Sequence, residues 1–269
     1  MRVGVVQMCS TDDLPRNLAL AEAGIAQAVA DGADFIALPE AFPFLRREGQ
    51  PIPNVAAVEA AARGALESWA REHRCWLLGG SIPETIDGSA RVYNTTLLFD
   101  PSGSVVARYR KIHLFDIDLG ELDANCECFR ESDTYAPGEE VVVAETPFGG
   151  LGLSICYDVR FPELYRALID ANARWICVPS AFARATGPFH WEVLLRARAI
   201  ESQCYVIAPA QCGEHSPERA SHGHSMVIDP WGEILAEGGN APTVLVVDCP
   251  DEAIDRVRIG VPSLRNRRL

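Results

Sequence analysis

Apolar runs of strand length alternate along this chain with stretches of helical period. VGVVQM (3–8) predicts a buried strand, and Leu14, Leu18, Ala21, Ile25 and Ala28 then recur on one helical face, with Gly32 as a natural stop. DFIALPE (34–40) predicts the next strand, 54–73 a second helix and CWLLGGS (75–81) a further strand. VYNTTLLFD and VVARYRK flank a Pro-Ser-Gly turn and predict a hairpin, whereas 116–140 reads as a long loop. Beyond it LGLSIC predicts a strand ending at Cys156, FPELYRALIDA a helix with Pro162 in its first turn, and RWICVPS another strand. A helix over 188–202, the strand CYVIAPA, a hairpin SHGHSMVIDPWGEILAE turning at Pro230-Trp231-Gly232, and the strand PTVLVVDC (242–249) complete the pattern. Residues 251–269 carry five arginines with little apolar periodicity and read as a tail that could dock on a partner subunit.

Strands alternating with helices, with hairpins between them, predict α/β layers with mixed sheets. No Pro/Gly/Ser-rich linker divides the chain, so one domain over 1–250 followed by the tail is expected. DFIALPEAF (34–42) and RWICVPSAF (174–182) echo one another, which suggests a duplicated architecture. In that case Glu40 and Ser180 occupy equivalent strand ends, where open α/β sheets place their ligands.

Composition narrows the function classes. The 269 residues are 48% hydrophobic, enough for a sizeable core, and carry a formal net charge of -13. That charge disfavours nucleic acid or an anionic membrane as the main partner, while one local arginine could still hold a small acidic substrate. MRVGVVQMCS lacks the zones of a secretory signal, and no apolar stretch approaches the roughly 20 residues of a membrane span, so a cytoplasmic location is expected. Nine cysteines without a C-x-x-C pair read as free thiols rather than a zinc ribbon.

Cys156 is the best-placed nucleophile among the nine. It ends an apolar strand just before a predicted helix start, where backbone N–H groups can lower a thiol pKa and cradle an anion; a buried packing cysteine is the alternative. The six histidines offer it no signature base, so a carboxylate could serve instead. Glu40 closes the apolar run DFIALPE and is either a site residue or a solvated one. Lys111 in RYRKIHLFD and Glu131 in FRESDTYAPGE read individually as a surface lysine and a loop carboxylate. Cys126 and Cys128 make a poor zinc set, and His222 and His224, two apart on one face of a predicted strand, read as packing or surface residues; no metal is expected.

Taken together, LPEAF, YRKIHLFD, FRESDTYAPG and LSICYDVRFPEL resemble, in order, the Glu-Lys-Glu-Cys motifs of the carbon-nitrogen hydrolases of the nitrilase superfamily. The resemblance runs to about residue 250, and HWEVLLRARAIESQCYVIAPAQCG with ASHGHSMVIDPWGEILAE is most similar to the branch of deaminated glutathione amidases. It implies a single-domain α-β-β-α sandwich with two mixed sheets, assembled at least as a homodimer. It also implies amide hydrolysis through a cysteine thioester without a cofactor, with Glu40, Lys111 and Cys156 catalytic. Glu131 would orient Lys111, and Lys111 with the Tyr157 N–H would hold the oxyanion. Deaminated glutathione is the implied substrate; an omega-amidase acting on 2-oxoglutaramate or 2-oxosuccinamate is the alternative, and a non-catalytic binding protein on this scaffold a third. The loop between Lys111 and Glu131 is longer and more acidic than the family's usual one. Arg160, four residues after Cys156, is a candidate for binding the substrate's acidic end, or else pairs with Asp158 or Glu163.

Overall fold

The structure is a computed structural model that describes residues 1–47, 49–118, 120 and 128–268, and of Cys128 the backbone alone. Its first half runs β1 (Arg2–Gln7), α1 (Leu14–Ala30), β2 (Phe35–Ala37), α2 (Val55–His73), β3 (Trp76–Leu78), β4 (Ile82–Glu84), β5 (Tyr93–Phe99) and β6 (Val105–Arg110). A short ribbon, β7 (Asp116–Asp118) and β8 (Cys128–Arg130), follows. The second half runs β9 (Val143–Thr146), β10 (Gly149–Leu153), α3 (Pro162–Asp170), β11 (Ala173–Cys177), α4 (Gly187–Ser202), β12 (Tyr205–Ala208), β13 (Cys212–Ser216), β14 (Arg219–His222), β15 (Met226–Ile228) and β16 (Ile234–Glu237). β17 (Thr243–Asp248), α5 (Glu252–Gly260) and α6 (Ser263–Asn266) close the chain.

Two mixed sheets result. The first has the order β17-β1-β2-β3-β5-β4, with β6 beside β5, and the second the order β16-β15-β12-β11-β10-β9. Both are built around three parallel strands, β1-β2-β3 and β10-β11-β12. Alternation along β1 separates two packing layers: Val3 and Val5 join the core shared with Leu151, Leu153 and Trp175 of the second sheet, while Val6 joins the core beneath α1 and α2. Helices α3 and α4 cover the far side of the second sheet, with Leu168 and Leu195 fully buried. The architecture is therefore the α-β-β-α sandwich with two mixed sheets that the resemblance implies. Among the described residues no helix is long and apolar enough to cross a membrane.

The echo between DFIALPEAF and RWICVPSAF acquires a physical meaning here. β2 and β11 are the central parallel strands of the two sheets, and their C-terminal ends approach so closely that the Ala181 N–H donates to Glu40 Oε2 at 2.8 Å. Three other expectations are corrected. The stretch 116–140 is not all loop: Asp116 to Asp118 pair antiparallel with Cys128 to Arg130, and a 3-10 turn covers Glu131–Asp133. Cys126 lies outside the described residues. The C-terminal residues are not a loose tail either, because α5 buries Ala253, Ile254 and Val257 and Arg258 donates to the carbonyls of Gln203 and Ala173. Three apolar positions within nine residues are too short a pattern to stand out among the surrounding charges. His222 ends β14 and His224 lies beyond it with a left-handed φ of 55°, so the two are not on one strand; their rings stack 4.3 Å apart, and His224 also contacts Glu237 and Asn240.

Candidate active site

Glu40 sits where β2 runs out. The next residue, Ala41, has φ 52° and its N–H donates to Ser81 Oγ, while Gln211 Nε2 donates to the Glu40 carbonyl at 3.0 Å. Gly80 completes this corner: at φ 53° it lies so close to Pro39 that a Cβ would stand 2.0 Å from the Pro39 oxygen, so only glycine fits. The carboxylate is thereby fixed from the backbone side.

Lys111 follows β6, where an exposed lysine is the ordinary expectation, yet its side chain is 2% exposed. Its backbone is pinned from both sides, the N–H to the Asn94 carbonyl and the carbonyl to the Gly138 N–H. Nζ donates to Glu40 Oε1 at 2.9 Å and to both Glu131 oxygens at 3.0 and 2.9 Å. A buried ammonium is tolerated only with such partners. Asn94, a polar residue in the buried strand YNTTLLF, donates to Glu40 at 2.9 Å and to Glu131 at 3.2 Å, and the Phe115 N–H donates to Glu131 at 2.6 Å. Two carboxylates and one ammonium thus share a network closed by neutral donors.

Cys156 enters this network from the second sheet. It opens a 3-10 turn, Cys156–Arg160, with φ 48°, a left-handed conformation that a non-glycine residue adopts only under constraint. The constraint is Asp158. Its fully buried carboxylate accepts from the Tyr109 hydroxyl (2.7 Å), the Ile155 N–H (2.9 Å) and the His113 N–H (3.0 Å), and His113 Nδ1 is 2.7 Å away. The Cys156 N–H is engaged by the Pro179 carbonyl at 3.0 Å, and the thiol is buried within reach of the Glu40 charge.

The electrostatics settle the resting charges. Burial pushes Glu40 up, but the charge and hydrogen bonds of Lys111 outweigh it and hold the carboxyl below its ordinary value. Burial pushes Lys111 down, and Glu131 and Glu40 reverse this, raising it well above its ordinary value. Burial and then the Glu40 charge push the Cys156 thiol up. This corrects the expectation of a thiol activated by a helix start: one short 3-10 turn has little dipole to offer against burial beside a carboxylate. A carboxylate base, an ammonium and a protonated thiol therefore coexist, which is the state needed for base-assisted attack by sulfur.

Glu40, Lys111, Glu131, Cys156 and Tyr157 line one cavity of about 720 Å³ including its open mouth. Arg160 is absent from that lining among the described residues. Its guanidinium lies over the rings of Tyr157 (5.6 Å) and Phe182 (5.1 Å), which do line it, beside His190 Nδ1 (3.1 Å) and Thr186 Oγ1 (3.5 Å). That places Arg160 at the rim. The alternative pairing with Asp158 is not observed, since the Asp158 oxygens face Tyr109, Ile155 and His113.

Residues 2–259 match the sequence profile of the carbon-nitrogen hydrolases. The chain belongs to this family. As a carbon-nitrogen hydrolase it acts on carbon-nitrogen amide bonds. It is 44% identical over 265 residues to a deaminated glutathione amidase of Synechocystis sp., covering 97% of this chain and 96% of that one. Among solved structures, the NitFhit protein of C. elegans superposes with a TM-score of 0.92 at 38% identity, over 99% of this hydrolase and 65% of that longer chain. An amidase from Nesterenkonia sp. AN1, solved with acrylamide added to its active-site cysteine, matches with a TM-score of 0.78 at 29% identity, covering 98% of this chain and 99% of that one.

The sequence reading missed Asn94 and the part played by Asp158. For Asn94 the signal was the one amide in the buried strand YNTTLLF; for Asp158 it was an acid two residues from the nucleophile.

Proposed function

We propose that this hydrolase cleaves the amide of deaminated glutathione, releasing 2-oxoglutarate and Cys-Gly, with Cys156 as nucleophile, Glu40 as base and Lys111 as oxyanion partner. The observation that carries the chemistry is a buried thiol sharing one cavity with a carboxylate that Lys111 holds ionised. As sulfur attacks the carbonyl carbon, the thiol proton passes to Glu40. The developing oxyanion is met by Lys111 Nζ and the Tyr157 N–H, the next N–H of the 3-10 turn after that of Cys156, which is spent on Pro179. Collapse breaks the carbon-nitrogen bond, Glu40 returns the proton to the departing amine, and a thioester remains. Glu40 then takes a proton from water, hydroxide adds to the thioester, and the carboxylic acid leaves as Cys156 is reprotonated. Glu131 holds the ammonium against Glu40 throughout, and no step calls for a cofactor.

Substrate identity is supported by the name carried by the Synechocystis relative and by the arginines around the cavity. Arg160 at the rim takes the carboxylate of the oxo-acid half, with His190, which burial and the Arg160 charge keep below its ordinary pKa, as a neutral acceptor beside it. The test follows Cys-Gly release from deaminated glutathione and ammonia release from 2-oxoglutaramate. The expected result is a higher kcat/KM for the former and no turnover of either by Cys156→Ala. A large preference for 2-oxoglutaramate would overturn the substrate in favour of omega-amidase action, and turnover by Cys156→Ala would overturn the mechanism.

A further inference from the structure

Two cavities meet beside Cys156. Phe115, Phe129, Ala181, Ala183 and Arg219 line the one that holds Cys156 and also line a second, of about 970 Å³ including its open mouth, along the β13–β14 hairpin. A primary amide releases only ammonia and makes no use of this second space. An amide of a larger amine does.

The charges at the junction run against the net sign of the chain. The Cys156 cavity is lined by Lys111, Arg46, Arg130 and Arg219 against Glu40 and Glu131, and both carboxylates are already bonded to Lys111. In a protein of net charge -13, cationic side chains thus outnumber acidic ones along this cavity. Arg219, half-buried, donates from Nη1 to the Arg46 carbonyl at 3.2 Å and forms no ion pair among the described residues. The acids of its own hairpin are turned to other groups, Glu214 to Arg184 at 3.5 Å and Glu218 to Ser216 Oγ at 3.0 Å. With one N–H spent, the guanidinium fork keeps donors for a bidentate partner.

We infer that Arg219 binds a carboxylate on the amine half of the substrate, so that the second cavity is a leaving-group channel and the preferred amides are those whose released amine is itself an acid, such as a dipeptide. The inference rests on the amidase reading above: Arg160 takes the acid of the acyl half at one rim, and Arg219 takes the acid of the amine half at the junction. The bonds made and broken are unchanged.

The experiment compares three substrates: deaminated glutathione, its analogue with the glycine carboxylate replaced by a carboxamide, and 2-oxoglutaramate. Arg219→Ala raises KM for deaminated glutathione by about 10- to 100-fold, the worth of a hydrogen bond to a charged group, with kcat little changed. Wild type on the carboxamide analogue shows the same loss, and Arg219→Ala adds nothing to it; Arg219→Lys recovers part of the affinity. Arg160→Ala, by contrast, raises KM on all three. Equal losses from Arg219→Ala on deaminated glutathione and on the carboxamide analogue overturn the inference, since a merely structural arginine cannot tell them apart. If deaminated glutathione is not hydrolysed at all, the substrate reading fails by itself. Calorimetric binding of Cys-Gly and of Cys-Gly amide then decides the role of Arg219. A preference for the acid of about tenfold or more, lost in Arg219→Ala, upholds it, and equal binding overturns it.

Discussion

Glu40, Lys111 and Cys156 hold their charges against pH because each is shifted away from neutrality. Glu40 lies below its ordinary 4.5, and Lys111 and Cys156 lie above their ordinary 10.5 and 9.0. No histidine lines the cavity among the described residues. The profile of kcat/KM is accordingly expected to be flat from about pH 5 to about pH 9, with no limb near the ordinary histidine value of about 6.5. A pH-rate series checks this, and an inflection between about 6 and 7 that persists in His190→Ala would contradict a Glu40 base held below its ordinary value. The linkage to stability has the same bounds. The Glu40 contribution is present above its unfolded value and is lost as pH falls through the lower folded one; that of Lys111 is present below its unfolded value and is lost as pH rises through the higher folded one. At this scale the identities of Glu40, Lys111, Glu131 and Cys156 were legible as motifs. Their protonation states were not, because burial and mutual charge set them.

Single elements carry the site's geometry. The left-handed Cys156 is kept in place by the 3-10 turn, and the turn by the Asp158 carboxylate with its donors from β6, from the residues just after it and from Ile155. Asp158→Asn keeps the shape but turns an amide donor toward N–H and O–H donors. It is expected to cost about 2–4 kcal/mol of stability, as buried groups left unpaired do. By displacing Cys156 it also lowers kcat/KM about 100-fold. Urea unfolding and steady-state kinetics measure the two effects, and wild-type values for both would remove Asp158 from its supporting role. The strand and helix around this turn followed from apolar runs and from Pro162. That the aspartate points inward did not, because a carboxylate next to a thiol has no period to betray its partner.

The whole molecule closes through its ends. β17 pairs with β1 over Arg2 to Gln7, and α5 then seats Ile254 in the core, with Arg174 bridging Asp251 and Asp255 at 2.9 Å each. Those ion pairs are more than half exposed on the acidic side and contribute little by themselves; burial of the apolar side chains stabilises this end more. Ile254→Ala is expected to cost about 2–4 kcal/mol in chemical denaturation while leaving kcat intact, because no residue of α5 is among those lining the cavity. No change in stability would restore the reading of 251–269 as a loose tail.

Local pattern in the sequence determined the main strands and helices, though not β7–β8, β13–β14 or α5, and with them the α/β class with mixed sheets, because side-chain period and turn chemistry are properties of neighbouring residues. The order of four motifs pointed to the family. Only the tertiary structure decided that the ends of β2 and β11 meet, that Asn94 and Asp158 complete the site, that Arg160 stands at the rim, and that Arg219 faces a second cavity. Those relations join residues far apart in the chain, 49 positions for Tyr109–Asp158 and 141 for Glu40–Ala181. Their energies come from burial and from charge at short range, which exist only once the sheets have packed.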